Sequence, residues 1–112
     1  KRFTITSFVF LLVSCQLLTA QSSPGAQVAE RLASRLRDSL GLSSEQQQSL
    51  YQVNMSLYYR NQQVRAMHTQ PDSLRFYLQR VENTRDSLYR PVLGDEKYLM
   101  YKSRKRELLR TN

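Results

Sequence analysis

The chain has 112 residues, enough for one small domain, and carries 17 lysines and arginines against nine acidic residues, a formal net charge of +8. Its single cysteine excludes an intrachain disulfide, and it has no glycine-rich loop of the kind that binds phosphate. Such an excess of positive charge is typical of proteins that bind nucleic acid, anionic membranes or acidic polypeptides.

Residues 1–20 have the pattern of a secretory signal peptide. A short basic segment, Lys1-Arg2, is followed by an apolar run from Phe3 to Val13 and by small residues up to Ala20. The apolar run is shorter than about 18 residues, which is too short for a comfortable membrane span. We therefore predict cleavage after Ala20 and a location in the periplasm or outside the cell.

The same segment has a second interpretation, in which the protein is a lipoprotein. Leu12-Val13-Ser14-Cys15 fits a lipoprotein cleavage box, and Cys15 would then carry the lipid anchor. Against this, Gln16-Leu17-Leu18 continues the apolar stretch beyond the cysteine, so simple cleavage is favoured. Export by either route disfavours nucleic acid as a partner.

Cleavage after Ala20 would leave 92 residues without any cysteine. A chain of this size buries only a small core. We therefore predict that it self-associates, as a homodimer, to bury more surface.

Glycine and proline divide the rest of the chain into four segments, and the shortage of β-branched residues argues against strands. We predict an all-α, four-helix, cradle-like domain over residues 21–112, with helices at about 26–40, 44–68, 72–90 and 95–110. The first helix carries an apolar stripe every four residues, at Val28, Leu32, Leu36 and Leu40.

The second and third predicted helices carry seven-residue apolar seams, at Leu50, Leu57 and Val64 and at Leu74, Val81 and Leu88. Val53 and Met67 are offset by three residues from the first of these seams. Matching seams joined by a short turn predict an antiparallel hairpin. Pro91 is predicted to end the third helix, because a proline disfavours the helical conformation of the residue before it.

Two further side-chain sets are predicted from spacing. Arginines every five residues on the third helix turn about 140° per step, so we predict that they are solvent-exposed; they are Arg75, Arg80, Arg85 and Arg90. Five tyrosines are predicted to form the rim of a small helical core, namely Tyr51, Tyr58, Tyr77, Tyr98 and Tyr101.

The stretch Leu42-Ser43-Ser44-Glu45-Gln46 predicts the start of the second helix. Ser43 can accept a hydrogen bond from the Gln46 backbone while the Gln46 side chain reaches back, which is a capping box. A second stretch, Leu93-Gly94-Asp95-Glu96-Lys97, keeps Leu93 and Glu96 but lacks the hydroxyl and the glutamine.

On these two stretches the chain resembles the Spy/CpxP-like family of exported helical proteins, in which an L-T-x-x-Q motif occurs twice. Its Ala20-Gln21 leader end looks like signals common in Bacteroidetes. The resemblance implies a four-helix cradle that dimerises through its long helices. It also implies an ATP-independent chaperone or envelope-stress role, in which a basic surface with apolar patches holds unfolded polypeptides.

Tyr59, Arg60 and Arg65 on the second helix are the candidate residues for binding such polypeptides. The alternative function is that of a structural or regulatory module that binds one specific envelope partner. A third interpretation is weak contact of the basic fourth helix with an anionic membrane.

Metal binding and catalysis are disfavoured. His68 beside Met67 is the only hint of a metal site, and Asp72 is the only nearby carboxylate for a site that needs three or four ligands. Ser73, His68 and Asp72 are neighbours in sequence, which does not make a catalytic triad. We therefore predict no metal ion, no cofactor and no enzymatic activity, and the metal-sensor branch of the family is disfavoured.

Overall fold

The computed structural model describes residues 23–110, which form four α-helices and no strand. The helices are α1 (Pro24–Leu40), α2 (Ser44–Met67), α3 (Pro71–Leu93) and α4 (Asp95–Leu108). The prediction of an all-α, four-helix domain is confirmed. The predicted signal peptide and Cys15 lie outside the described residues. No helix among those described is long and apolar enough to cross a membrane.

Each helix packs against the next along the chain, and α4 returns to pack against α1. Three-residue connections join α1 to α2 and α2 to α3, and Gly94 alone separates α3 from α4. Short connections make consecutive helices antiparallel neighbours. The α2–α3 pair is therefore the predicted hairpin, and α1 and α4 cover one part of it.

The hairpin is longer than the two helices that cover it. The 24 residues of α2 span about 36 Å at 1.5 Å per residue, whereas the 14 residues of α4 span about 21 Å. None of residues 58–80 is buried. We call this part of the hairpin, residues 58–80, the arm; at its base Tyr58 still lies against Gly25 of α1.

The hydrophobic core lies at the other end of the hairpin, where all four helices meet. Its fully buried large side chains are Leu36, Leu50, Leu57, Tyr89, Tyr101 and Leu108. The burial of each large apolar side chain contributes about 1.5–3 kcal/mol to the stability of the fold. The core therefore holds the ends of α2 and α3 that are remote from the arm.

The stripe predicted on α1 is only partly correct. Val28 and Leu32 are half-buried, whereas Gly25, Ala29 and Ala33 are buried together with the two predicted leucines. Small residues let α2 approach closely: a Cβ placed on Gly25 would lie 2.8 Å from the Tyr58 ring. Close helix approach, rather than side-chain size, thus decides which face of α1 is buried.

The prediction that Pro91 ends the third helix is wrong, because α3 continues through Pro91 to Leu93. Pro91 is exposed and lies in the last turn, so its missing N–H removes a single helical hydrogen bond. The helix ends instead at Gly94, which adopts φ 80° and donates its N–H to the Arg90 carbonyl at 3.0 Å. The other predicted boundaries differ by two residues or fewer.

The seam predicted on α3 is also wrong at Leu88, which is 41% exposed. The buried positions recur every four residues instead, at Val81, Arg85, Tyr89 and Leu93. Arg85 was predicted to be solvent-exposed and is buried. Tyr101 was predicted at the rim and is fully buried, while the other four predicted rim tyrosines are half-buried.

Candidate functional site

The first motif stretch forms the turn between α1 and α2. The Gln46 backbone N–H donates to Ser43 Oγ at 3.1 Å, and the Ser43 N–H donates to Gln46 Oε1 at 2.9 Å. The predicted capping box is therefore present. Gly41 ends α1 in the left-handed conformation that glycine favours, with φ 67°, and Leu42 turns inward to be buried in the core.

The second stretch forms the turn between α3 and α4 and is built differently. Leu93 is buried in the same core as Leu42, but Gly94 occupies the N-cap position and no side chain caps α4. Glu96, predicted as part of this cap, is exposed in the first turn of α4. Its negative charge interacts favourably there with the positive end of the helix dipole.

The two stretches are joined by a reciprocal pair of hydrogen bonds. Gln46 Nε2 donates to the Val92 carbonyl at 3.1 Å, and Lys97 Nζ donates to the Gly41 carbonyl at 2.6 Å. Gln46 and Lys97 are each the fifth residue of their stretch, and each meets the carbonyl that precedes the leucine of the other. The paired turns therefore brace the closed end of the bundle, which is a structural role.

Replacing Ser43 by alanine is expected to lower the free energy of unfolding by about 1 kcal/mol, because the Gln46 N–H loses its acceptor. Urea denaturation followed by circular dichroism measures the loss. Ser44→Ala is the matched control, since Ser44 is exposed and does not serve as the cap. Equal losses in both variants would contradict the assignment of Ser43 as the cap.

A polar network is buried where α1, α2 and α3 meet. Asn54 Nδ2 donates to the Ala29 carbonyl at 3.1 Å, and Asn54 Oδ1 accepts from both the Tyr89 hydroxyl and Arg85 Nη1, the latter at 3.2 Å. Arg85 Nη1 also donates to the Tyr89 oxygen at 3.0 Å, and Arg85 Nε donates to Glu82 at 3.1 Å. Burial raises the pKa of Tyr89, so its hydroxyl stays protonated.

A second polar cluster joins α3 to α4. Asp86 accepts hydrogen bonds from the Tyr101 hydroxyl at 2.9 Å, from Lys102 at 3.0 Å and from Lys105 at 2.8 Å. Burial works to raise the pKa of Asp86, but these three donors outweigh it and hold the pKa below its usual value. Burial, aided by the hydrogen bond to Asp86, raises the pKa of Tyr101.

The three predicted polypeptide-binding residues all lie on the arm and are exposed. Tyr59 and Arg60 are adjacent, whereas Arg65 follows Arg60 by five residues, which turns it about 140° around α2. Consecutive residues of a helix lie about 100° apart around its axis, so the structure places Tyr59, Arg60 and Arg65 on three different sides of α2.

Two exposed apolar side chains of the arm were missed from the sequence. Met67 is 75% exposed and Phe76 is 57% exposed. Phe76 packs edge-to-face on Tyr77, with ring centroids 5.1 Å apart, and the Arg80 guanidinium lies 5.9 Å from the Phe76 centroid. The predicted seams did not indicate that the Phe76 ring is exposed and packs against Tyr77 and Arg80.

His68 has a packing role at the tip of the arm. It ends α2 and stacks on Tyr77 of α3, with ring centroids 3.9 Å apart. Within residues 23–110, no group of three or more histidine, cysteine or acidic side chains is close enough to hold a metal ion.

Two concave regions adjoin the polar clusters. A cleft of about 250 Å³ lies over the buried network and is lined by Val28, Ala29, Leu32, Asn54, Tyr58, Asn61, Glu82, Arg85 and Leu109. An open basic groove between α3 and α4 is lined by Gln79, Glu82, Lys102, Ser103, Lys105, Arg106 and Leu109. Glu82 and Leu109 belong to both, so the cleft and the groove are neighbours.

Comparison of the chain with protein-family models, curated proteins and solved structures finds no match. The resemblance to Spy/CpxP-like proteins therefore rests on the two motif stretches and on the order of the helices.

Proposed function

We propose that the protein is an exported, non-enzymatic member of the Spy/CpxP-like proteins that binds polypeptides in a chaperone-like or envelope-stress role. The observation that carries the proposal is the arm, a basic two-helix extension with exposed aromatic and methionine side chains. Its location in the periplasm or outside the cell depends on the signal segment predicted at residues 1–20.

The arm combines the two properties that an unfolded polypeptide requires of a binding surface. Tyr59, Met67 and Phe76 expose large apolar side chains, and methionine and aromatic rings adapt to many partners. Four arginines accompany a single carboxylate, Asp72, in residues 58–80. Asp72 is exposed and pairs with Arg75 at 3.4 Å. The arm therefore keeps an excess of positive charge, which can attract acidic segments.

Purified protein (residues 21–112) is expected to suppress the aggregation of an unfolded client, without ATP, at a few-fold molar excess. The triple replacement of Tyr59, Met67 and Phe76 by serine is expected to abolish most of this effect, as measured by light scattering. The matched control replaces the same number of exposed apolar residues outside the arm, at Leu88, Leu99 and Met100.

Retained activity in the control and loss in the arm variant would support the arm as the binding surface. Equal activity in both variants would contradict it. Failure of the unmodified protein to protect any client, together with capture of one stoichiometric envelope protein, would favour the alternative of a module for one specific partner.

We also propose that the protein is a homodimer, because one side of a two-helix arm lacks a third layer to pack against. Light scattering is expected to give twice the monomer mass. A monomer mass that is independent of concentration would contradict this.

A weaker candidate function is contact with anionic membranes through α4. Leu99 is 69% exposed and Met100 is 40% exposed, and both lie close in sequence to Lys102 and Arg106. Liposome binding that persists at high salt would contradict a purely electrostatic contact.

A further inference from the structure

We propose that the cleft over the buried network is a binding site for a carboxylate carried on a small apolar group. Two sources share this chemistry: the C-terminal residue of a polypeptide and a short free fatty acid. The cleft lies between α1, α2, α3 and the residues after α4, and Tyr58 and Asn61 at the base of the arm also line it. The proposal does not depend on the exposed apolar side chains of the arm.

Arg85 is only 8% exposed, and not all of its hydrogen-bond donors have a protein partner. A guanidinium has five N–H donors. Nε donates to Glu82, and the two N–H groups of Nη1 serve Asn54 and Tyr89. The two donors of Nη2 therefore remain without a protein partner in the part of the chain described here.

The solvent exposure of Arg85 Nη2 can be derived from the hydrogen bonding of the buried polar atoms. No buried side-chain nitrogen or oxygen in residues 23–110 lacks a hydrogen-bond partner. Nη2 must therefore be reached by solvent, although Arg85 as a whole is buried. Since Arg85 lines the cleft, we infer that the cleft is the route by which solvent reaches these donors.

One part of the cleft lining is apolar, and the rest is formed by Asn54, Asn61, Glu82 and Arg85. Val28 and Leu32 come from α1 and Leu109 follows α4, and all three are half-buried. The volume of about 250 Å³ lies just below the range of ordinary ligand pockets, about 300–1,000 Å³. A ligand of this site is therefore small, or is the end of a longer molecule that continues into solvent.

The surrounding charges favour an anion. Glu82 lines the cleft but pairs with Arg85. The adjoining groove is lined by Lys105, which pairs with Asp86, and by Arg106. A further cation, Arg35, lies close to Leu109, because it donates a hydrogen bond at 3.2 Å to the carbonyl of the preceding residue, Leu108. Two free N–H donors on one guanidinium nitrogen, in a basic environment with a partly apolar lining, suit a carboxylate on an apolar group.

The test uses methyl NMR of the purified protein with four probes: hexanoate, hexanamide, acetyl-Ala-Leu with a free carboxylate, and the same dipeptide as its amide. At least one carboxylate is expected to shift the Val28, Leu32 and Leu109 methyl signals saturably. Its amide is expected to bind about tenfold more weakly or worse. Binding of the dipeptide acid alone identifies a polypeptide end as the source, and binding of hexanoate alone identifies a fatty acid.

Variants separate the site from the rest of the surface. Val28→Trp is expected to fill the cleft and abolish binding, whereas Val64→Trp, at a half-buried valine of the arm, should preserve it. Arg85→Lys retains the charge but not the guanidinium donors, and it should weaken binding about tenfold. Equal binding of acid and amide, undiminished binding to Val28→Trp, or no saturable shift at millimolar concentrations would overturn the proposal.

Discussion

Replacing Asn54 by leucine is expected to lower the free energy of unfolding by about 3 kcal/mol, although the two side chains are similar in size. Asn54 is 4% exposed and accepts hydrogen bonds from Tyr89 and Arg85 in the core. Leucine cannot accept them, and each buried polar group left without a partner costs about 1–3 kcal/mol. Urea denaturation monitored by circular dichroism measures the difference.

Gln52→Leu is the matched control, because Gln52 is exposed on the same helix. Its effect is expected to stay within about 0.5 kcal/mol. The double variant Asn54→Leu, Tyr89→Phe removes the donor together with its acceptor. Its loss in free energy of unfolding is expected to be about 1 kcal/mol smaller than the sum of the losses in the two single variants. A leucine variant as stable as the natural protein would show that the network contributes little.

The same network explains where the sequence was misleading. Arg85 belongs to a series of arginines and was therefore predicted to be solvent-exposed, and the predicted apolar seams leave no place for a buried polar side chain such as Asn54. A seven-residue count from Leu74 selects Leu88 as the buried position. Because α3 continues through Pro91, its buried stripe ends at Leu93, and counting back by four from Leu93 selects Tyr89 and Arg85 instead.

Contacts close in sequence were predictable and distant contacts were not. The capping box joins Ser43 to Gln46, three residues apart, and its chemistry is apparent from the residue types. The bond from Lys97 to the Gly41 carbonyl spans 56 residues and depends on how the two turns meet. No local pattern predicts it.

Tyr59, Arg60 and Arg65 were named as candidate binding residues and are exposed, whereas Met67, which is also exposed, was not among the candidates. The spacing of Met67 from Val64 placed it in the hairpin contact. At the tip, however, the contact between α2 and α3 is made by His68 stacking on Tyr77, and Met67 points to solvent. The candidate binding surface is therefore more apolar than the sequence indicated.

Alkaline pH is expected to destabilise the protein steeply, through Tyr89 and Tyr101. Both side chains are fully buried, with ring centroids 5.1 Å apart, and burial raises the pKa of both hydroxyls. In the unfolded chain they ionise near pH 10, as ordinary tyrosines do. The folded state keeps both protons, so its stability is fully present below about pH 10 and falls as the pH rises above it.

Each buried tyrosine is expected to contribute a loss of about 1.4 kcal/mol per pH unit above pH 10, or about 3 kcal/mol for the pair. Urea denaturation at a series of pH values between about 9 and 11 measures the slope. Tyr101→Phe is expected to reduce the slope by about half, because one of the two buried hydroxyls is removed; Tyr77→Phe, at the half-buried arm tip, is the matched control. If Tyr101→Phe does not reduce the slope, the alkaline transition does not arise from Tyr101 and the prediction is wrong.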